Sequence, residues 1–403
     1  MKVAIVGGGV SGITLSILLA DFLDVTLFEK NNRILKKLLV TGNGRCNFSN
    51  EVMTRENFHG NDKFLDEFIK SADLRAGEKF LKSIGIVSTT DERGRKYPMS
   101  LQANSVVDAY LSAVSEKNIS IKLDTDVKDI SEKNNKFIIN YDYSYPFDIC
   151  ILAPGSMSYP QFGTDGTSYK LATNLKHRKT RIVPGITSLI SDIPFLKELK
   201  GVKVDGELSF DFNKNKYSYA GDILFTENGI SGNTVFESSS IILDKKIKSV
   251  VLDFIPNISE ADLMDMLNER KTNFPNRKVS WLLNGIVHKK LGNVILKILN
   301  LDMNKDLNKL TESDFKNISR LIKNFNVNVL SGGSWKQSQV TVGGIDSSDL
   351  DINFQSKVIE NLFMVGEYLD IYGDCGGYNI TFALISAIRV CEFLRRKYAG
   401  TIS

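Results

Sequence analysis

Residues 2 to 29 constrain this chain more than any other stretch. The short apolar run Val3 to Val6 leads directly into Gly7, Gly9 and Gly12, in G-x-G-x-x-G spacing. Leu15, Leu18, Leu19 and Phe22 then recur at helical intervals, and a second run, Val25 to Phe28, ends on Glu29. The two β-branched, apolar runs read as buried parallel strands, and the spacing between them predicts a helix with one apolar face. In a β-α-β unit of this kind the glycines permit a tight turn and close backbone approach to a pyrophosphate. The helix N-terminus offers that anion unpaired N–H groups and a partial positive charge. Glu29 is placed to accept hydrogen bonds from ribose hydroxyls. An acid there, rather than an arginine, favours NAD or FAD over a 2′-phosphorylated cofactor.

A length of 403 residues predicts two or three domains. The net charge of +4 is too small, spread over that length, to predict nucleic-acid binding, and no nucleic-acid partner is expected. Arg395, Arg396 and Lys397 read as the basic last turn of a helix. No apolar run reaches the length of a membrane span. The apolar N-terminus carries the glycine fingerprint and lacks a cleavage pattern, so it is not expected to act as a signal peptide. The cysteines Cys46, Cys150, Cys375 and Cys391 form no C-x-x-C pair, and His59, His177 and His288 have no metal-ligand spacing. These features predict a cytoplasmic, reduced protein with neither metal nor membrane partner.

Beyond Glu29, the stretch Lys37-Leu-Leu-Val-Thr-Gly-Asn-Gly-Arg-Cys-Asn47 is a glycine-rich loop with directional polar groups. Arg45 suits a phosphate and Asn47 a ring edge. Helices are expected within 62–85 and from Ser100 to Ala113; Ile119 to Leu123, Val127 to Ile130 and Phe137 to Asn140 read as strands. The buried run Phe147 to Leu152 ends in Ala153-Pro154-Gly155-Ser156, where a doubly wound sheet would touch its nucleotide again. Near residue 184 the pattern changes to short alternating strands (Ile186 to Ser191, Gly206 to Phe212, Lys216 to Tyr219, Val250 to Ile255), with a helix at Val235 to Leu243. Residues 257–323 turn helical, opened by capping-box-like Ser259/Asp262 and Thr311/Asp314, with helices read across Trp281 to Leu299. Strand signals return at Phe325 to Leu330, Ser338 to Val342 and Leu362 to Val365. A second glycine-rich stretch, Gly373 to Asn379, then precedes a final helix, again a backbone N–H site for an anion or carbonyl.

Taken together, Lys37 to Asn47, the run Val340-Thr-Val-Gly-Gly-Ile345, Gly366-Glu367-Tyr-Leu-Asp370 and Gly376-Gly377-Tyr378-Asn379 resemble the BaiN-like bacterial flavoproteins, which are NAD(P)/FAD-dependent oxidoreductases. The likeness runs to about residue 393. It implies an α/β fold: a discontinuous Rossmann-like FAD-binding domain (1–185 and 343–403) with a small β-barrel-like substrate domain (186–256 and 324–342) and a helical subdomain (257–323) inserted. By matching position it implies that Gly7, Gly9, Gly12 and Glu29 hold the adenosine and pyrophosphate, and that Val127 sits near the adenine. Arg45, Cys46 and Asn47 would line the cofactor and Glu367 would bind the ribityl chain. Gly377, Tyr378, Asn379 and Ile380 would face the pyrimidine edge of the flavin. The implied contact set also takes in Ser11, Lys30, Lys37, Gly44, Ala153, Gly155, Gly366, Asp370 and Gly376. This chain departs from the family pattern at Pro154-Gly155-Ser156 and at Gly163 to Tyr169.

The implied activity is hydride transfer between FAD and a small organic substrate, with NAD(P)H as a transient electron donor. No second G-x-G-x-x-G lies between residues 150 and 330, which argues against a separate nicotinamide domain. A flavin-dependent amine oxidase passing electrons to oxygen is the alternative. A FAD-containing RNA-modifying or RNA-binding protein is the alternative of another class, weighed against 47 acids opposing 51 bases. The sequence singles out no catalytic acid or base: Cys46, Cys375, His59, Tyr159, Tyr372 and Tyr378 all lie on candidate loops, but packing is the default role of each.

Overall fold

The computed structural model describes residues 1–398. The five C-terminal residues, part of the expected second stretch of the FAD-binding domain, lie outside the described residues. The chain divides into two compact units, Met1–Pro184 together with the chain from Trp335 onward, and Gly185–Ser334. The boundary at Ser334/Trp335 falls eight residues before the position expected from the pattern change at Val342.

In unit one, strands β1 (Lys2–Val6), β2 (Asp24–Phe28), β3 (Ile119–Lys122), β4 (Ile149–Leu152) and β5 (Leu362–Met364) form one parallel sheet in the order β5-β4-β1-β2-β3. The parallel register explains why β1, β4 and β5 read as unbroken apolar runs, since both faces of a parallel sheet are covered. β5 comes more than 200 residues after β4, so the sheet is closed only by chain that follows unit two. Helix α1 (Val10–Leu19) differs from the expected one-sided amphipathic helix. Residues all round it are buried, including Thr14 and Ser16. It lies against the sheet and against the long C-terminal helix α2 (Tyr378–Tyr398). Thr14 meets the buried hydroxyl of Tyr110 at 3.0 Å on a third side. Val127 to Ile130 is not a strand; the hairpin begins at Ile130, pairing Ile130–Lys133 with Lys136–Ile139. Asn140 takes the N–H groups of Lys128 and Asp129 instead of a strand neighbour.

Unit two is a seven-stranded sheet whose two longest members, Lys203–Phe212 and Asn215–Phe225, pair antiparallel over ten residues. Helices Glu260–Asn273, Lys289–Ile298 and Glu312–Lys323 lie between its strands in sequence, opened by Ser259, His288 and Thr311, whose side chains each accept a backbone N–H. Leu263, Leu291, Ile295, Phe315 and Ile318 share one buried core with the sheet residues Leu208, Ile223 and Leu252. The helices therefore cover the sheet and have no core of their own. Of the stretch Trp281 to Leu299, only Lys289–Ile298 is α-helical. Among the described residues no helix is long and apolar enough to cross a membrane.

Candidate functional site

The glycines of the fingerprint divide into two kinds. A Cβ on Gly7 would stand 2.3 Å from the carbonyl oxygen of Ala153, and one on Gly12 would stand 1.9 Å from that of Gly7. Both are packing glycines that let α1 and the end of β4 close on β1. A Cβ on Gly9 would meet nothing within 4 Å. Gly9 is also the exposed N-cap of α1, and no side chain caps the first-turn N–H groups of the helix. An exposed helix N-terminus of this kind can hold an anion. Beside it, at the end of β2, Glu29 is 8% exposed; its carboxylate accepts from the N–H of Gly8 (2.7 Å) and from the backbone and side chain of Asn31 (2.8 and 2.6 Å). The segment leading to Val127 is held against Glu29, since the N–H of Thr125 donates to the Glu29 carbonyl (2.9 Å). Val127 itself is buried.

A second set of groups converges where β4 and β5 end. Glu367 accepts from Lys37 Nζ (2.5 Å), Ser158 Oγ (2.8 Å) and the N–H of Thr341 (3.1 Å). Lys37 also donates to Ser158 Oγ (2.5 Å), and the Thr341 hydroxyl bonds Ser156 (2.8 Å) and takes the N–H groups of Met157 and Ser158 (3.1 Å each). The Lys37–Glu367 pair is only about one-fifth exposed on either side. Nearby, the hydroxyl of Tyr169 is buried without a partner. Burial, and then the charge of Glu367, push its pKa up, so it stays a neutral donor. A buried donor with nothing to bond, beside a carboxylate that has lone-pair capacity left, suits a ligand rich in hydroxyls.

The third part is the start of α2. A Cβ on Gly377 (φ +99°) would fall 2.4 Å from the carbonyl oxygen of Ser49, so only glycine lets the helix end approach the Ser49–Asn50 strand. Asn50 Nδ2 donates to the Gly376 carbonyl (3.1 Å). With its amide oriented to match its neighbours, Asn47 donates to the carbonyls of Ser49 and Lys96 and accepts from the N–H of Gly377 (3.2 Å). The two glycine-rich loops, more than 300 residues apart in sequence, are thus joined directly.

Several side chains expected at the cofactor are committed elsewhere. Cys46 lies wholly in the core, where burial pushes its thiol up to about 12, which removes it as a redox thiol. Ser11 donates to the Ala383 carbonyl (2.9 Å), tying α1 to α2. Asn379 brackets its own loop, accepting from the Gly373 N–H (2.8 Å) and donating to the Gly373 carbonyl (2.9 Å). Tyr378 is buried against Phe58 and donates to the Val52 carbonyl (3.0 Å). Asp370 is 8% exposed and accepts from the Ser347 N–H (3.0 Å); burial raises its carboxyl to about 6. Ile380 packs against the core of unit one. At these positions only backbone groups are left to face a ligand. Lys30 pairs with Asp165 at the surface (3.2 Å), and the Arg45 guanidinium lies 4.9 Å over the Tyr97 ring on an exposed loop with Gly44. Ala153, Gly155 and Gly366 line the strand ends. His59, from the candidate loops, bonds Asp374 (2.7 Å) with its ring beside Tyr372.

The residues missed from sequence are Ser156, Ser158 and Thr341. Ser156 and Ser158 are fully buried polar groups directly after β4, a combination that is itself a signal of a satisfied network. Thr341 sits in the middle of the apolar run Val340 to Val342, where an uncharged β-branched residue reads as core.

The family model for the HI0933-like protein Rossmann domain matches residues 1–392. Among characterised proteins, the 3-dehydro-bile acid delta(4,6)-reductase of Clostridium scindens is 29% identical over 394 residues, covering 95% of this chain and 96% of that protein. The ribosomal RNA dihydrouridine synthase of Haemophilus influenzae is 24% identical over 399 residues, covering 95% and 96%. Among solved structures, the 3-ketosteroid delta1-dehydrogenase of Sterolibacterium denitrificans, in complex with 1,4-androstadiene-3,17-dione, superposes with a TM-score of 0.50 at 10% identity. That match covers 98% of this chain and 99% of that one, a likeness of fold.

Proposed function

The chain belongs to the family of HI0933-like proteins with a Rossmann domain, and from that membership we propose that it is a FAD-dependent oxidoreductase acting on a small organic molecule. The observation that carries the cofactor assignment is Gly9, the one fingerprint glycine whose missing side chain leaves open space, at an uncapped helix N-terminus beside a buried acid. When bound, FAD supplies a centre that takes up or gives back a hydride. The first-turn N–H groups of α1 would hold the pyrophosphate, and Glu29 would accept from the adenosine ribose. Lys37, Glu367 and Tyr169 would bond the hydroxyls of the ribityl chain, with the buried Ser158 hydroxyl holding Lys37 and Glu367 in place. Backbone N–H groups at the start of α2 would stabilise negative charge at the carbonyl edge of the flavin ring.

The bile-acid enzyme, which covers the same length, is a reductase, and that supports a reductive direction here. NAD(P)H is the electron donor in this reading, docking transiently in the absence of a second dinucleotide fingerprint. The test is to purify the protein, record its absorption near 450 nm (about where flavins absorb), and titrate it anaerobically with NADH, NADPH and amines. Bleaching by a nicotinamide is expected. Bleaching by an amine, with colour restored by oxygen, would instead make it an oxidase. A colourless protein that takes up no added FAD would overturn the cofactor assignment.

A further inference from the structure

We propose that the face of unit two formed by residues 270–309 docks the phosphate backbone of a single-stranded nucleic acid. The inference goes beyond the flavin chemistry and rests on none of its residues. From Arg270 to Leu301 the chain carries seven basic residues and no acid, and as far as Lys309 nine bases against Asp302 and Asp306. The remainder of the chain then holds 42 bases against 45 acids, so the net positive charge of the protein resides in this one segment.

The fold gathers six of these nine charges, while Lys297 is paired with Glu198 (2.7 Å) and is not among them. The N–H of Val279 donates to the Lys305 carbonyl (2.9 Å), that of Leu307 to Arg277 (2.8 Å) and that of Asn308 to Pro275 (3.0 Å). Residues 275–279 and 305–308 therefore run side by side, which sets Lys305 and Lys309 next to Arg277 and Lys278, all four exposed. Helix Glu260–Asn273 ends beside them, delivering Arg270 and Lys271 in its last turn. Asp306 is taken by Lys278 (2.7 Å). Among the described residues no carboxylate comes within ion-pair distance of Arg270, Arg277, Lys305 or Lys309.

Two guanidinium groups share one indole. Arg277 lies 4.0 Å over the Trp281 ring and 4.2 Å over that of Phe274, and Arg270 lies 5.0 Å over Trp281. Arg270 spends its donors on the carbonyls of Leu282 and Asn284 (2.7 and 2.8 Å). Burial, and then the neighbouring Arg277, push its pKa down. Stacking fixes the plane of Arg277 and leaves its in-plane N–H groups free for phosphate oxygens. The half-exposed Phe274 ring, 5.2 Å from Trp281 and edge to face with it, offers a surface on which an unpaired base can stack. Cations interleaved with aromatic rings on which bases can stack are what single strands bind.

The experiment uses the full-length protein with its cofactor content recorded, and a fluorescein-labelled single-stranded RNA oligonucleotide followed by anisotropy. With about four phosphate contacts, affinity should fall about 50-fold between about 50 and 200 mM salt. The triple variant R277A/K305A/K309A should bind at least tenfold more weakly at low salt. Its salt dependence should shrink to about threefold over the same range, because about one contact remains. Its circular dichroism and flavin absorbance should match the parent, which separates this surface from the redox site. Failure of the parent to bind RNA, or equal binding by the triple variant, would overturn the proposal. So would binding to phosphatidylserine vesicles with no binding to RNA.

Discussion

Replacing Gly9 and Gly12 separately should divide cofactor binding from folding, because the two glycines sit in opposite surroundings. Gly9 has φ −80° and ψ −173°, open to any residue, and no neighbour within 4 Å of a Cβ. In Gly9→Asp the new carboxylate is a favourable N-cap, so the apo protein should be unchanged or more stable by about 0.5 kcal/mol. The same carboxylate takes the N–H groups that a pyrophosphate needs and stands against its charge. At about 4 Å and an effective dielectric constant of about 20, that repulsion is about 4 kcal/mol, which weakens FAD about 1000-fold. A Cβ on Gly12, by contrast, falls 1.9 Å from a backbone oxygen that does not approach real Cβ atoms inside 3.0 Å. Helix α1 would have to move by about 1 Å against a fully packed surround, at a cost of about 3 kcal/mol or more. Urea unfolding of the apo proteins followed by circular dichroism reads the first quantity, and quenching of flavin fluorescence on titration reads the second. If Gly9→Asp binds FAD within tenfold of the parent, or Gly12→Ala unfolds at the parent's urea midpoint, the division of roles is wrong.

The Lys37–Glu367 pair should be energetically coupled. It is about one-fifth exposed, so Lys37→Met should cost about 2 kcal/mol and the double variant with Glu367→Gln distinctly less than the sum of the singles; additivity within about 0.5 kcal/mol would refute the network. Asp370 gives a pH signature. Its folded pKa, about 6, lies above the value of 3.8 for a free carboxyl, so the native state binds the proton more tightly. Its stabilising effect is present in full below pH 3.8 and is lost as pH rises to about 6, worth about 2–3 kcal/mol. Asp370→Asn should remove that slope from unfolding midpoints measured across the window. Thiol labelling with a disulfide reagent at pH 8 should modify Cys375 alone in the native protein. Burial pushes Cys46, Cys150 and Cys391 up to about 12, and all four should react once urea unfolds the chain.

What was legible in the sequence is what physics makes local. The β1-α1-β2 unit is dictated within 28 residues by strand hydrophobicity and glycine spacing, and it stands where that spacing puts it. The distinction between Gly9 and its neighbours was not legible, because G-x-G-x-x-G is the same string whether a glycine faces a backbone or open space. The same holds for Cys46 and Asn379. Each lies in a loop suited to a ligand, but side-chain direction there is set by strands and helices that arrive from elsewhere in the chain. The Ser158–Lys37–Glu367–Thr341 network joins four segments spread over some 330 positions, and no periodicity in any one of them signals the others. The one-sided reading of α1 failed for a related reason. The Leu and Phe intervals describe the face toward the sheet, while α2, which covers another face, begins at residue 378.

Charge followed the opposite course. Summed over the whole chain, 51 bases against 47 acids argue against a polyanion partner, and the sum is correct. Electrostatic attraction, however, acts within about a Debye length, about 10 Å at ordinary salt, so what a partner feels is the charge of one face. The absence of any acid across 32 consecutive residues was readable without coordinates. That those residues fold back so that 275–279 lie beside 305–308 was not readable, because the pairing is irregular and ends where Leu282 and Leu283 turn into the core. Had the segment been a single exposed helix, its cations would have spread round the cylinder and into solvent. The backbone pairing sets Lys305 and Lys309 beside Arg277, and the indole ring fixes the plane of that guanidinium. A composition bias thereby becomes a surface with a position and an orientation, which is the condition for binding a backbone of regularly spaced phosphates.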